Sequence, residues 1–192
     1  MSIKNKASRG DTIVEIIFAF AIFSAISVIT IAILNRGLGV ARTSLETTLV
    51  RQQIDSQSEI IRSIRDNIPS LWSSLISTDL LTSNPAPLTN NSDECVKPND
   101  SSKAFFLVPN PSSQSFSIIK YNDGYTNASS YAYVVDELSE SRGIWMEVSK
   151  AQSSTKGENL NAYDFRIHAC WDPVGHDKNM MTLGTIVRVY GK

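Results

Sequence analysis

The sequence predicts an α+β protein. One long N-terminal helix, half suited to a membrane and half amphipathic, packs on an antiparallel β-sheet head. Three observations carry that expectation. Residues 16–34 (IIFAFAIFSAISVITIAIL) run nineteen positions without a charge, long enough to cross a bilayer as a helix. Apolar positions then continue at helical spacing as far as Pro69. From Phe105 onward the pattern shortens to β-type runs separated by turn signals.

The N-terminal segment comes first. Lys4, Lys6 and Arg9 precede the apolar run with no acid among the first ten residues, so the positive-inside rule places the N-terminus in the cytoplasm and everything after Leu34 outside. The run is too long for the apolar core of a secretory signal, and Asn35-Arg36 follows it in place of a small-residue cleavage site. A simple signal anchor fits the length but leaves Gly10 and Glu15 without a purpose. Glu15 is the telling residue. A carboxylate in such a segment costs on the order of 3 kcal/mol at mid-depth and less near the interface. Joined to Gly10, it suggests a short basic leader that a peptidase removes, leaving a free α-amine on Asp11.

The stretch Arg9-Gly10-Asp11-Thr12-Ile13-Val14-Glu15, followed at once by the apolar run, resembles the class III signal of type IV prepilins, the prepilin-type N-terminal cleavage and methylation signal. The resemblance implies cleavage between Gly10 and Asp11 by a membrane prepilin peptidase, with N-methylation of Asp11. It implies that Glu15, the fifth residue of the mature chain, compensates the terminal amine of a neighbouring subunit during assembly. Two groups that are each costly in lipid become tolerable when paired. The sequence departs from the family at Asp11, where an apolar residue is usual, and it lacks the proline often found partway along pilin helices.

The domain organisation that follows is a leader over 1–10, a transmembrane and assembly helix over 11–35, an amphipathic half over 36–68, and a head over 69–192 with a loop at 82–103. Gly37 and Gly39 are the soft points of the helix, either a place where it loosens in a filament or a flexible membrane exit. Val50, Ile54, Ile61, Ile64 and Ile68 fall on one helical face, with Arg51, Asp55, Glu59, Arg62 and Asp66 opposite. Arg51–Asp55 and Arg62–Asp66 are expected as i,i+4 pairs worth a few tenths of a kcal/mol each. Pro69 closes the helix, which at 1.5 Å per residue would be roughly 80 Å long. A coiled coil is the rival, but the stripe is too short for sustained heptads.

Leu71, Trp72, Leu75 and Ile76 suggest a short helix after Pro69. Residues 82–103 are rich in Pro, Asn and Ser and read as a loop around Cys95. Strands are expected at 104–108, 115–121, 131–136, 144–149, 163–171 and 183–190. In the clearest of them, alternation sets Tyr163, Phe165, Ile167, Ala169 and Trp171 toward the helix stripe, with Asp164, Arg166, His168 and Cys170 on the outer face. Exported thiols meet an oxidising environment, so a Cys95–Cys170 disulfide is the natural reading, with two buried thiols as the alternative. Such a bridge would pin the 82–103 loop over the outer face of the sheet.

Composition excludes more than it specifies. The net charge is −1, and without Lys4, Lys6 and Arg9 the 18 basic residues fall to fifteen against 19 acidic ones. Nucleic acid is therefore not indicated as a partner. His168-x-Cys170-x-Asp172, followed by His176 and Asp177, carries metal-ligand residue types, but an oxidised cysteine is lost as a ligand, and no metal or other cofactor is expected. No phosphate loop, calcium loop or nucleophile–base arrangement stands out, so an enzyme is not expected. Tyr121, Tyr125, Tyr131 and Tyr133 supply either adhesive aromatic contacts or strand packing. The sequons at Asn90, Asn99 and Asn127 read as chance in Asn- and Ser-rich sequence.

The expected role is a non-enzymatic structural subunit of a type IV pilus or a related filament. What the resemblance implies is a single-pass precursor in the inner membrane with its N-terminus inside, then an extracellular fibre serving adhesion, twitching motility or DNA uptake. Its partners would be other pilin subunits, the prepilin peptidase and the inner-membrane assembly platform. The alternatives are a pseudopilin of a type II-like secretion system and a single-pass anchored extracellular binding protein.

Overall fold

The computed structural model describes residues 11–89, 94–110, 115–151, 161–174 and 180–191. The chain divides into two compact units, Met1–Arg42 and Thr43–Lys192, and helix α1 (Asp11–Asn67) runs through the division. In the first unit the segment from Ile13 onward is helical and its large apolar side chains are exposed all round. Such a helix needs a surrounding other than water. Gly37 and Gly39 do not interrupt it.

The second unit is built on a five-stranded antiparallel sheet in the order β2-β1-β6-β7-β8. Its strands are β1 (Phe105–Asn110), β2 (Ser115–Lys120), β6 (Ile144–Lys150), β7 (Ala162–Trp171) and β8 (Met181–Tyr190). Between β2 and β6 the chain makes a single helical turn, α3 (Tyr121–Gly124), and a small sheet of β3 (Tyr125–Thr126), β5 (Glu140–Arg142) and β4 (Tyr133–Val135). The sequence reading has one strand over 131–136 where the structure has β4. It did not anticipate β3 and β5, which are too short to show a period of two.

The amphipathic stripe and the inner sheet face meet as expected. Val50, Ile54, Ile61 and Ile64 of α1 are buried in one cluster with Phe105, Leu107, Phe165, Ile167 and Trp171. Arg51, Asp55, Glu59, Arg62 and Asp66 are exposed. Their pairing differs from expectation: Arg62 bonds Glu59 one turn back, and Arg65 bonds Asp66 at 2.8 Å. Helix α1 ends at Asn67, and Pro69 opens α2 (Pro69–Leu75) instead of merely stopping α1. That is where a proline is best tolerated, since the first helical N–H has no partner in any case. Trp72 of α2 lies edge-on to Tyr163 and beside Phe165, at 5.9 and 6.0 Å between ring centres.

Among the described residues of α1, three polar ones are buried, Glu46, Gln57 and Ser58; the Ser58 hydroxyl donates to the Ile54 carbonyl at 2.9 Å, and the other two complete the fold. Strand β1 meets β6 only at Phe105↔Met146, so the next backbone pair along that edge needs another partner. Gln57 supplies it. Its amide nitrogen donates to the Leu107 carbonyl at 2.8 Å, and its amide oxygen accepts from the Leu107 N–H at 3.1 Å. Pro109, two residues on, turns its missing N–H to the same side, beyond the reach of β6. Glu46 accepts from the Trp171 indole and from the backbone N–H of Val174, both at 3.4 Å.

Candidate functional site

Two regions hold the residues singled out from the sequence. In the first unit, Gly10 lies outside the described residues. Asp11 is the first described residue of α1, and nothing is described of its side chain. Glu15, one helical turn further, is exposed among exposed apolar neighbours such as Ile13, Ile16, Ile17 and Phe18. Two polar residues inside the run are reconciled with it locally. The Ser27 hydroxyl donates to the Phe23 carbonyl at 2.9 Å, and that of Thr30 to the Ile26 carbonyl at 2.8 Å. Both donors are thereby spent within the helix, as an apolar surrounding requires. This helix is long and apolar enough to cross a membrane.

In the second unit Cys95 and Cys170, 75 residues apart in sequence, are joined as a disulfide with their Cα atoms 5.6 Å apart. The bridge ties the Pro- and Asn-rich loop to the outer face of the sheet, where it forms a second layer. Ala86, Val96, Ala104 and Trp145 are buried together there. Gly184 of β8 leaves room for Leu88, whose nearest atom would stand 3.0 Å from an added Cβ. Lys103 donates to the Leu81 carbonyl at 2.8 Å, and the side-chain amide of Asn99 donates to the backbone carbonyl of Asn84 at 3.1 Å.

This layer changes the status of the outer face. Sequence alternation marks Arg166 and His168 as outward, but the loop covers them. His168 is 3% exposed and stacked on its cross-strand neighbour Trp145, ring centres 4.0 Å apart and 6° from parallel. Among the described residues, neither imidazole nitrogen has a hydrogen-bond partner, nor has the Trp145 indole N–H. Burial, and then the Arg166 guanidinium, pull the His168 pKa down to about 4. Glu147, opposite Arg166, is 2% exposed and accepts the Ala86 N–H at 2.9 Å. Burial pushes its carboxyl up, against the lowering pull of that hydrogen bond and of Arg166.

The His168-Cys170-Asp172 set therefore divides. Cys170 is committed to the disulfide, His168 is sealed beneath the loop, and Asp172 is exposed; His176 and Asp177 fall outside the described residues. Of the four tyrosines, Tyr131 packs against the inner core and lies 5.0 Å from Tyr133, which carries the Arg142 guanidinium 5.7 Å above its ring. Tyr121 and Tyr125 stack on each other at 4.2 Å beside the outer layer. Asn127 is exposed, Asn99 is bonded within the loop, and Asn90 lies outside the described residues.

No family model matches this chain, and no curated protein or solved structure matches it. Its functional reading therefore rests on its own residues. The loop over the outer face was expected from the disulfide; what sequence reasoning missed is that the loop builds a buried apolar layer there and seals His168 beneath it. The available signal was Trp145, a large aromatic on a face otherwise read as polar, opposite a loop carrying Ala86, Leu88 and Val96.

Proposed function

We propose that the chain is a structural subunit of a type IV pilus or a related pilin-like filament, made as a single-pass membrane precursor with its N-terminus inside. The observation that carries this reading is Gly10-Asp11 with Glu15 five residues past the glycine, immediately ahead of nineteen uncharged residues. Cleavage after Gly10 would place an ammonium at the start of the helix. An ammonium and a carboxylate, each expensive in lipid, offset one another when the amine of one subunit meets Glu15 of the next. The exposed apolar surface of 16–34 would then bury itself against equivalent helices in a bundle. The inward-bonded hydroxyls of Ser27 and Thr30 support the same reading, because they leave that surface without those two free donors.

The disulfide-tied head would form the outside of the fibre. The prepilin peptidase and the membrane assembly platform are the partners this route requires. Intact mass of the mature protein tests the first step, with an expected loss matching residues 1–10. Glu15→Ala tests the second: the variant should be processed and inserted but assemble poorly. An uncut chain, or normal fibres from the variant, would refute the proposal. A short periplasmic assembly in place of a surface fibre would assign the chain to a secretion pseudopilin.

A further inference from the structure

Beside the disulfide, on the side of the sheet that carries the outer layer, lies a cavity of about 360 Å³ lined by Glu94, Cys95, Lys97, Tyr121, Tyr125, Asn127 and Met180. We propose that it is a binding site for a neutral carbohydrate, one or two pyranose rings in size. The volume sits at the lower end of the range for small-molecule sites, about 300–1,000 Å³.

The walls select the chemistry. Tyr121 and Tyr125 form a stacked pair, ring centres 4.2 Å apart and 20° from parallel, and Trp145 braces Tyr121 edge-on at 6.0 Å. Both phenols are partly exposed. Burial raises both pKa values, that of Tyr125 further because of the neighbouring Tyr121 phenol. They therefore stay neutral at physiological pH and offer an aromatic surface with hydroxyl donors and acceptors. The C–H face of a sugar ring complements such a surface, and its hydroxyls complement the polar tips.

Charge favours a neutral ligand. Among the described lining residues Lys97 is the cation and Glu94 the anion, so their formal charges cancel and leave little to hold a phosphate or a polyacid. Asn127 adds an amide that both donates and accepts. Lys97 and Asn127 are exposed and so can reach a ligand at the mouth. The site is also held in shape. The disulfide fixes Cys95 against β7, and the single turn of α3 fixes Tyr121 relative to Tyr125. Such preorganisation lowers the ordering cost of binding. The site does not depend on cleavage at Gly10 and stands apart from the filament reading.

The test is saturation-transfer NMR on the full chain in a sugar-free detergent such as lauryldimethylamine oxide. The probes are N,N′-diacetylchitobiose, lactose and maltose, with glucose 6-phosphate as the anionic comparison. Transfer to the ring protons of at least one neutral disaccharide is expected. Lys97→Ala and Asn127→Ala should each weaken it at least fivefold, whereas Lys120→Ala, in a different cleft, should leave it unchanged. Tyr121→Phe keeps the ring and should retain the ring-proton transfer with reduced affinity. Absence of transfer to all three neutral sugars would overturn the assignment. So would transfer indifferent to both Lys97→Ala and Asn127→Ala, or tighter binding of the phosphorylated sugar than of any neutral one.

Discussion

Acidification should loosen the second unit through His168, and the size of the effect follows from its burial. An unfolded histidine titrates near 6.5, whereas the folded chain holds this one down to about 4. The unfolded state therefore binds more protons throughout that interval, so stability is intact above pH 6.5 and is lost as pH falls toward 4. At 1.36 kcal/mol per pH unit, with the folded group half-protonated at the end of the window, the loss by pH 4 is about 3 kcal/mol. Glu147 works the other way. Its raised carboxyl takes up a proton more readily when folded, so it returns part of the loss at the acid end. His168→Phe keeps a flat ring against Trp145 and removes both unpartnered nitrogens. Urea unfolding of the protein can be followed by tryptophan emission, because Trp72, Trp145 and Trp171 are all buried in the second unit. Between pH 7.5 and 4 the parent should lose about 2–3 kcal/mol more than the variant, within the limit set by the titration. Parallel pH profiles, differing by less than about 0.5 kcal/mol, would refute the assignment of the acid sensitivity to His168.

Three further outcomes follow from particular contacts. Gln57→Leu strips the buried Leu107 N–H and carbonyl of their side-chain partners, and the urea midpoint should fall by the equivalent of about 2–4 kcal/mol. Gly143 has φ +79°, and an added Cβ would stand 2.1 Å from the Cys170 carbonyl oxygen. Gly143→Ala should therefore cost more than about 3 kcal/mol and show as poor expression or a depressed thermal midpoint. Replacing both Cys95 and Cys170 by Ser releases a loop of 75 residues, with an expected loss of about 4 kcal/mol from chain entropy. Amide hydrogen exchange should then rise in 82–103 more than in the inner face of β7.

The parts of this fold that could be read from the chain are those where one period points to one partner. Val50, Ile54, Ile61 and Ile64 repeat at helical spacing, and Phe165, Ile167, Ala169 and Trp171 at strand spacing, so each stripe implied the other. The cysteine pairing was expected from the compartment that the basic residues ahead of the apolar run imply, and with two cysteines in the chain it needed no geometry. The outer layer was harder, because a loop rich in Pro and Asn has no period, and its Ala86, Leu88 and Val96 are too scattered to show as an apolar face. Alternation along β7 put His168 on the correct side, and the disulfide put the loop over that side, yet neither could reveal that the loop packs closely enough to seal the imidazole from solvent. The ion pairs were misplaced for a different reason: Arg62 can reach Glu59 or Asp66 at similar cost, and spacing alone does not choose. Gln57 stood in plain view between Ile54 and Ile61 on the buried stripe. Its meaning depended on where β1 and β6 part company, which no local pattern records.

The self-bonded hydroxyls of Ser27 and Thr30 make those positions of the apolar segment indifferent to company. Acyl chains, detergent tails or another copy of the same helix can be exchanged around them without remaking either bond. A helix with such neutrality can trade one greasy medium for another, because neither side chain holds it back.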